Sequence, residues 1–156
     1  MATDVELAYL AGYFDGEGCV GVYMRRSRTH PGSGFTVRVI VGACDPAPLL
    51  RFQAAFGGTV NAAMPHPTSL GKLMQHRWQC SGSRAITALR SMLPHLTTKR
   101  AQAEAALQIK LYWRGYKPTA EENTERALIA ARIRTLKRIS FAETSTREGD
   151  RVEVSI

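Results

Sequence analysis

The sequence predicts an α+β fold in which helices carry one antiparallel sheet, in the order αββαββα with further helices at the C-terminal end. Three observations predict it. Two runs of strict apolar–polar alternation follow a short apolar helix and are separated by a stretch rich in glycine and proline. A second helix and a weaker hairpin then repeat that order. From residue 83 onward the apolar spacing becomes helical.

The first helix is expected over 3–14. Thr3 and Glu6 have capping-box spacing. Val5, Leu7, Ala8, Leu10, Ala11 and Phe14 are apolar on more than one face, so this helix is expected to be buried on nearly all sides. Asp15-Gly16-Glu17-Gly18 ends it. In the first strand Val20, Val22 and Met24 alternate with Gly21, Tyr23 and Arg25. Thr29-His30-Pro31-Gly32-Ser33-Gly34 turns the chain. In the second strand Phe35, Val37, Val39 and Val41 alternate with Thr36, Arg38, Ile40 and Gly42, giving a hairpin with one apolar and one basic face. Asp45, as N-cap, and Pro46 open a helix to Phe56, stopped by Gly57-Gly58. A second hairpin is expected over 59–64 and 73–80, around Pro65-His66-Pro67. Helices follow over 83–92 and 99–113, separated by Pro94. Thr119 and Glu122 cap a last helix whose Leu128, Ile129, Ile133 and Leu136 form one stripe. The chain is read as one domain, with a core over about 1–115, a helical extension over about 116–140 and a loose, polar tail over 141–156.

The chain has 156 residues, of which 44% are apolar, enough for one real core. No apolar run is long enough to span a bilayer, and Asp4 and Glu6 sit where a signal peptide needs positive charge. The net charge of +8 favours a polyanionic partner. Its distribution is sharper than its size: between Cys19 and Arg100 lie eleven Lys or Arg residues and one acid, Asp45. The basic residues concentrate on strands, whereas an anionic-membrane binder needs a basic amphipathic helix. Cys19, Cys44 and Cys80 have no metal-ligand spacing, and an odd count without a secretory signal points to reduced thiols in a cytoplasmic protein. The four His residues have no zinc spacing.

Residues Leu10-Ala11-Gly12-Tyr13-Phe14-Asp15-Gly16-Glu17-Gly18 resemble the LAGLIDADG signature of a homing endonuclease family. Leu10, Ala11, Gly12, Asp15, Gly16 and Gly18 match in place, and Glu17 fills the acidic position. The resemblance implies an αββαββα core whose sheet is a DNA-binding saddle. One copy of the motif implies the single-motif type, a homodimer that makes a site-specific, metal-dependent double-strand break across the minor groove of a pseudo-palindromic target. It makes Glu17 the metal-binding acid, with help from the Gly16 carbonyl. Mg²⁺ is the expected ion, with Mn²⁺ able to substitute and Ca²⁺ supporting binding without cleavage. In single-motif relatives a lysine follows a Pro-x-Leu segment; Pro94-His95-Leu96-Thr97-Thr98-Lys99 fits, making Lys99 the second catalytic candidate. Where relatives often carry Gln or Asn at the end of the second strand, this chain has Ala43, a departure that puts a water-organising role in doubt.

The residues support these roles on physical grounds. Gly12 allows a second helix backbone to approach, and Ala8 and Ala11 flatten the face beside it. A carboxylate at a helix end is otherwise a solvated turn residue. Two copies of Glu17 at a dimer axis repel unless a cation lies between them, and Mg²⁺ takes hard oxygen ligands. Strand alternation leaves Tyr23, Arg25, Ser27, Thr36, Arg38, Gln75, Arg77 and Gln79 to face DNA, with Trp78 in the core. Arg and Gln suit guanine and adenine edges. Arg26 and Arg28, at the hairpin tip, suit phosphates. Two other readings use the same scaffold: a DNA-binding regulator that does not cut, and an RNA-splicing maturase. Glu17 argues against the first. The target, and an intron or intein setting for the gene, are not legible; the Ala and Arg bias leans to a bacterial or phage source.

Overall fold

The structure is a computed structural model, and it describes residues 2–24, 35–63, 74–112 and 116–149. Its elements are α1 (Asp4–Glu17), β1 (Gly18–Met24), β2 (Phe35–Ala43), α2 (Ala47–Phe56), β3 (Thr59–Ala63), β4 (Gln75–Ser81), α3 (Ser83–Met92), a 3-10 turn (Leu93–His95), α4 (Arg100–Leu107) and α5 (Ala120–Gly149). The strands form a four-stranded antiparallel sheet in the order β1-β2-β4-β3. This is the α+β architecture that the alternation predicts.

The sheet is apolar on one side. Val20, Val37, Val39, Val41, Trp78 and Cys80 are buried there against Leu10, Phe14, Leu49, Phe52 and Leu89 from the helices. Trp78 stacks at 4.9 Å from Phe52, and its indole N–H donates to the Gly57 carbonyl at 2.8 Å, so the largest core side chain leaves no polar atom unpaired. The chain can turn into β3 there because Gly58 has φ +91°, and a Cβ on it would lie 2.5 Å from the Gln79 carbonyl.

Helix α1 differs from expectation in two ways. Thr3 caps it, accepting from the Glu6 amide at 3.2 Å, but Glu6 does not reach back. Its carboxylate instead takes a bidentate pair from Arg51 on α2, at 2.8 and 2.9 Å, which fixes α1 against α2. Nor is α1 buried all round: Leu10, Ala11 and Phe14 face the core, whereas Val5 is 79% exposed. Ala11, expected beside a dimer face, is therefore a core residue. The helix runs on through Glu17 and passes straight into β1 at Gly18, where a Cβ would stand 2.1 Å from the Phe14 ring. Only glycine permits so abrupt a junction.

Helix α2 begins one residue later than expected, with Pro46 rather than Asp45 at the N-cap, and the Asp45 Oδ1 still accepts from the Ala47 amide at 2.9 Å. Helix α4 stops at Leu107, short of the expected 113, and Trp113 lies outside the described residues. Thr119 and Glu122 form the reciprocal capping box that their spacing predicts, at 3.2 and 2.8 Å. Helix α5 then packs Ile133 into the core, with Ile129 and Leu136 beside it, while Leu128 points to solvent at 65% exposure. The helix continues to Gly149, where a loose tail was expected from 141. Extending a formed helix costs far less than nucleating one, and Ala142, Glu143, Arg147 and Glu148 are good helix formers. Among the described residues no helix is long and apolar enough to cross a membrane.

Candidate active site and nucleic-acid face

Residues paired across an antiparallel sheet share a face, so the register fixes what the outer surface presents. One row places Tyr23 beside Thr36, and the next Gly21, Arg38 and Ser81. Then come Cys19, Ile40, Gln79 and Thr59, followed by Gly42, Arg77 and Asn61, and last Gln75 beside Ala63. Tyr23, Thr36, Arg38, Gln75, Arg77 and Gln79 thus lie together on the face opposite the core. Arg25, Arg26, Ser27 and Arg28 lie outside the described residues. The Arg38 guanidinium rests 5.2 Å from the Tyr23 ring centroid, a cation–π contact that holds it in place without using its hydrogen-bond donors. Arg38, Thr59, Gln79, Ser81 and Arg84 line an open depression of about 190 Å³. Thr59, Asn61 and Arg84 were missed from sequence. Strand β3 is only five residues long and its alternation is too weak to show a face. Arg84 sits on a helix whose position over the sheet edge no local pattern reveals.

The second part of the site is the end of α1. Asp15 accepts from the Thr97 amide at 2.7 Å, the Thr97 hydroxyl at 2.8 Å and the Lys99 amide at 2.8 Å. Burial pushes the Asp15 carboxyl up, but these hydrogen bonds outweigh it and hold the group below its ordinary value. Asp15 is therefore occupied in fastening the turn before α4 to α1. That turn carries Lys99, whose ammonium donates to the Asp15 carbonyl. Burial lowers the Lys99 pKa, against the pull of the Asp15 and Glu17 charges. Glu17 itself is exposed and makes no hydrogen bond or ion pair among the described residues. Lys99 and Glu17, proposed separately from sequence, are thus electrostatic neighbours. Ala43 packs against the core, so it presents nothing to this site. Asp45, two residues on, shares with Glu17 an influence on the Tyr13 hydroxyl, which burial already pushes up.

The third part is the open face of α1. Val5, Ala8, Tyr9, Gly12 and Gly16 follow one another at helical spacing and are all exposed. A Cβ on Gly12 or Gly16 would meet nothing within 4 Å. Glycine inside a helix costs about 1 kcal/mol relative to alanine. Among the described residues nothing crowds either position enough to call for glycine.

No family model and no curated protein sequence matches the chain. Solved structures do. The homing endonuclease I-CvuI, in complex with a DNA target in the presence of Mg, superposes with a TM-score of 0.68 at 26% identity, over 85% of this chain and 82% of that one. The same enzyme with its own target and Ca gives a TM-score of 0.66, again at 26% identity. The homing endonuclease I-TnaI has the same fold, at a TM-score of 0.59 and 20% identity over 88% of this chain and 96% of that one. The fold is shared with these homing endonucleases over most of both chains.

Proposed function

We propose that the chain is a site-specific homing endonuclease that works as a homodimer and cuts double-stranded DNA with divalent metal ions. The observation that carries this reading is the Glu17 carboxylate at the end of α1, exposed and without a hydrogen-bond or ion-pair partner among the described residues, with its charge acting on Lys99. A regulator that only binds DNA gains nothing from an exposed acid on its DNA side, because a carboxylate repels phosphate.

Among the described residues no three acids, histidines or cysteines converge to hold a metal. One copy offers one carboxylate and the adjacent Gly16 carbonyl, both hard oxygen donors, which suits Mg²⁺ better than a thiolate- or imidazole-binding metal. Pairing two copies along the α1 stripe brings a second such set, and DNA phosphates add more oxygens. When bound, the metal activates a water and stabilises the leaving oxygen. The chain's own groups do the rest. The outer strands position the duplex. Asp15 holds the Lys99 turn in register, and Lys99 offers positive charge to the reacting phosphate. Mg and Ca in the two I-CvuI complexes support divalent metal use here.

The strand arginines test the saddle. A duplex selected from a randomised pool is expected to show two related half-sites over roughly two helical turns. Arg38→Ala and Arg77→Ala are each expected to cost about 1–3 kcal/mol in binding and to relax preference at particular bases. Competitive binding of single-base variants of that duplex measures this. Unchanged preference in both variants rules the outer sheet face out as the reading surface.

A further inference from the structure

Two lysines from distant parts of the chain reach the junction of α1 and β1, on either side of Glu17 in sequence: Lys99 at Asp15 and Lys137 at Cys19. Lys99 enters on the turn before α4. Lys137 enters from α5, the helix for which the sequence suggested no role, and its Nζ lies 3.0 Å from the Cys19 sulfur. Cys19 is two residues beyond Glu17 and belongs to the outer row of the sheet with Ile40, Gln79 and Thr59. Lys137 therefore overhangs the sheet at the end nearest the carboxylate. The two ammonium groups sense each other: after burial and against nearby acids, the charge on Lys137 adds to what lowers Lys99.

Neither lysine is in an ion pair among the described residues. A thiol sulfur is a weak acceptor, so Cys19 leaves the Lys137 ammonium under-satisfied. Like charges placed side by side repel, and an anion with several oxygens relieves that repulsion. A phosphodiester is such an anion, and lysine meets it as a point charge. Helix α5 lies against β1, and Lys137 is part-buried where its ammonium meets Cys19.

We propose that Lys137 is a second cation of this site, which α5 delivers onto the DNA backbone phosphates beside Glu17 and Lys99. This rests on the DNA-cleavage reading for its role in turnover, but not for the phosphate contact itself. The test compares full-length wild type with Lys137→Met, which keeps the stem and removes the charge, and Lys137→Arg, which keeps the charge. Binding to the selected duplex is measured across salt concentrations in Ca²⁺, and cutting is measured in Mg²⁺. Lys137→Met is expected to make the log–log salt slope shallower by about 0.9 for each copy in the complex. Base preference stays unchanged and cleavage falls about tenfold or more. Lys137→Arg restores the slope and most of the cleavage, and both variants keep the wild-type Tm. An unchanged slope in folded Lys137→Met overturns the proposal. So does a loss that Lys137→Arg fails to rescue. If Lys137→Met does not fold, Lys137→Gln, with its polar tip, carries the same comparison. Should wild type bind the duplex and never cut, the nuclease reading fails while the salt slope still decides Lys137.

Discussion

Glu17→Gln is expected to lose at least about two orders of magnitude in Mg²⁺-dependent cleavage while folding and binding DNA like wild type. The substitution keeps the side chain's size and removes its charge. Within one copy of the chain Glu17 has no hydrogen-bond or ion-pair partner among the described residues, so removing its charge breaks no such contact there. In the proposed dimer its removal is expected to relieve repulsion between the two copies, leaving Tm the same or raising it. Binding in Ca²⁺ is expected to persist, since the proposed DNA contacts lie on the strand face. Purified wild type and variant are compared on one duplex, for binding by titration and for cutting by product yield. Cleavage near the wild-type rate by Glu17→Gln places the chemistry elsewhere.

Gly12→Leu is expected to separate the two copies and abolish cutting of both strands. A Cβ at this position meets no other part of its own protomer within 4 Å, beyond the neighbouring residues and backbone of its own helix turn. Losing a helical glycine favours the helix itself by up to about 1 kcal/mol. The damage falls on close approach by a second helix, and adding bulk to a packed contact costs about 1–3 kcal/mol or more. Sedimentation then shows a folded monomer at micromolar concentration, while Gly12→Ala weakens association less. A Gly12→Leu protein that remains dimeric and active rules out α1 as the pairing face.

Much of the fold was legible because its signals are local. The alternation over Val37, Val39 and Val41 against Thr36 and Arg38 sets both the strand and its two faces, and the register keeps them apart. The capping box at Thr119 and Glu122 formed as written. Asp15 falls at the helix stop that Asp15-Gly16-Glu17-Gly18 marks, and there it accepts from the Thr97 and Lys99 amides. What stayed illegible depends on contacts between distant segments. Glu6 satisfies a capping pattern, yet Arg51, 45 residues away, is a stronger partner than a backbone amide. Ala11 and Ala8 look alike in sequence, but the angle at which α1 meets the sheet buries one and exposes the other. Lys137 is 118 residues from Cys19 and sits in a helix with charges on several sides, so nothing local singles it out.

Metal-dependent cutting of both strands at one site is tested by incubating wild-type protein with its selected duplex, with Mg²⁺ or with a chelator, and sequencing every product end. A single pair of breaks is predicted, placed symmetrically about the centre of the site, a few bases apart across the minor groove and absent with the chelator. Tight, sequence-specific binding with both strands intact in Mg²⁺ and in Mn²⁺ contradicts the claim and leaves a DNA-binding regulator on the endonuclease fold.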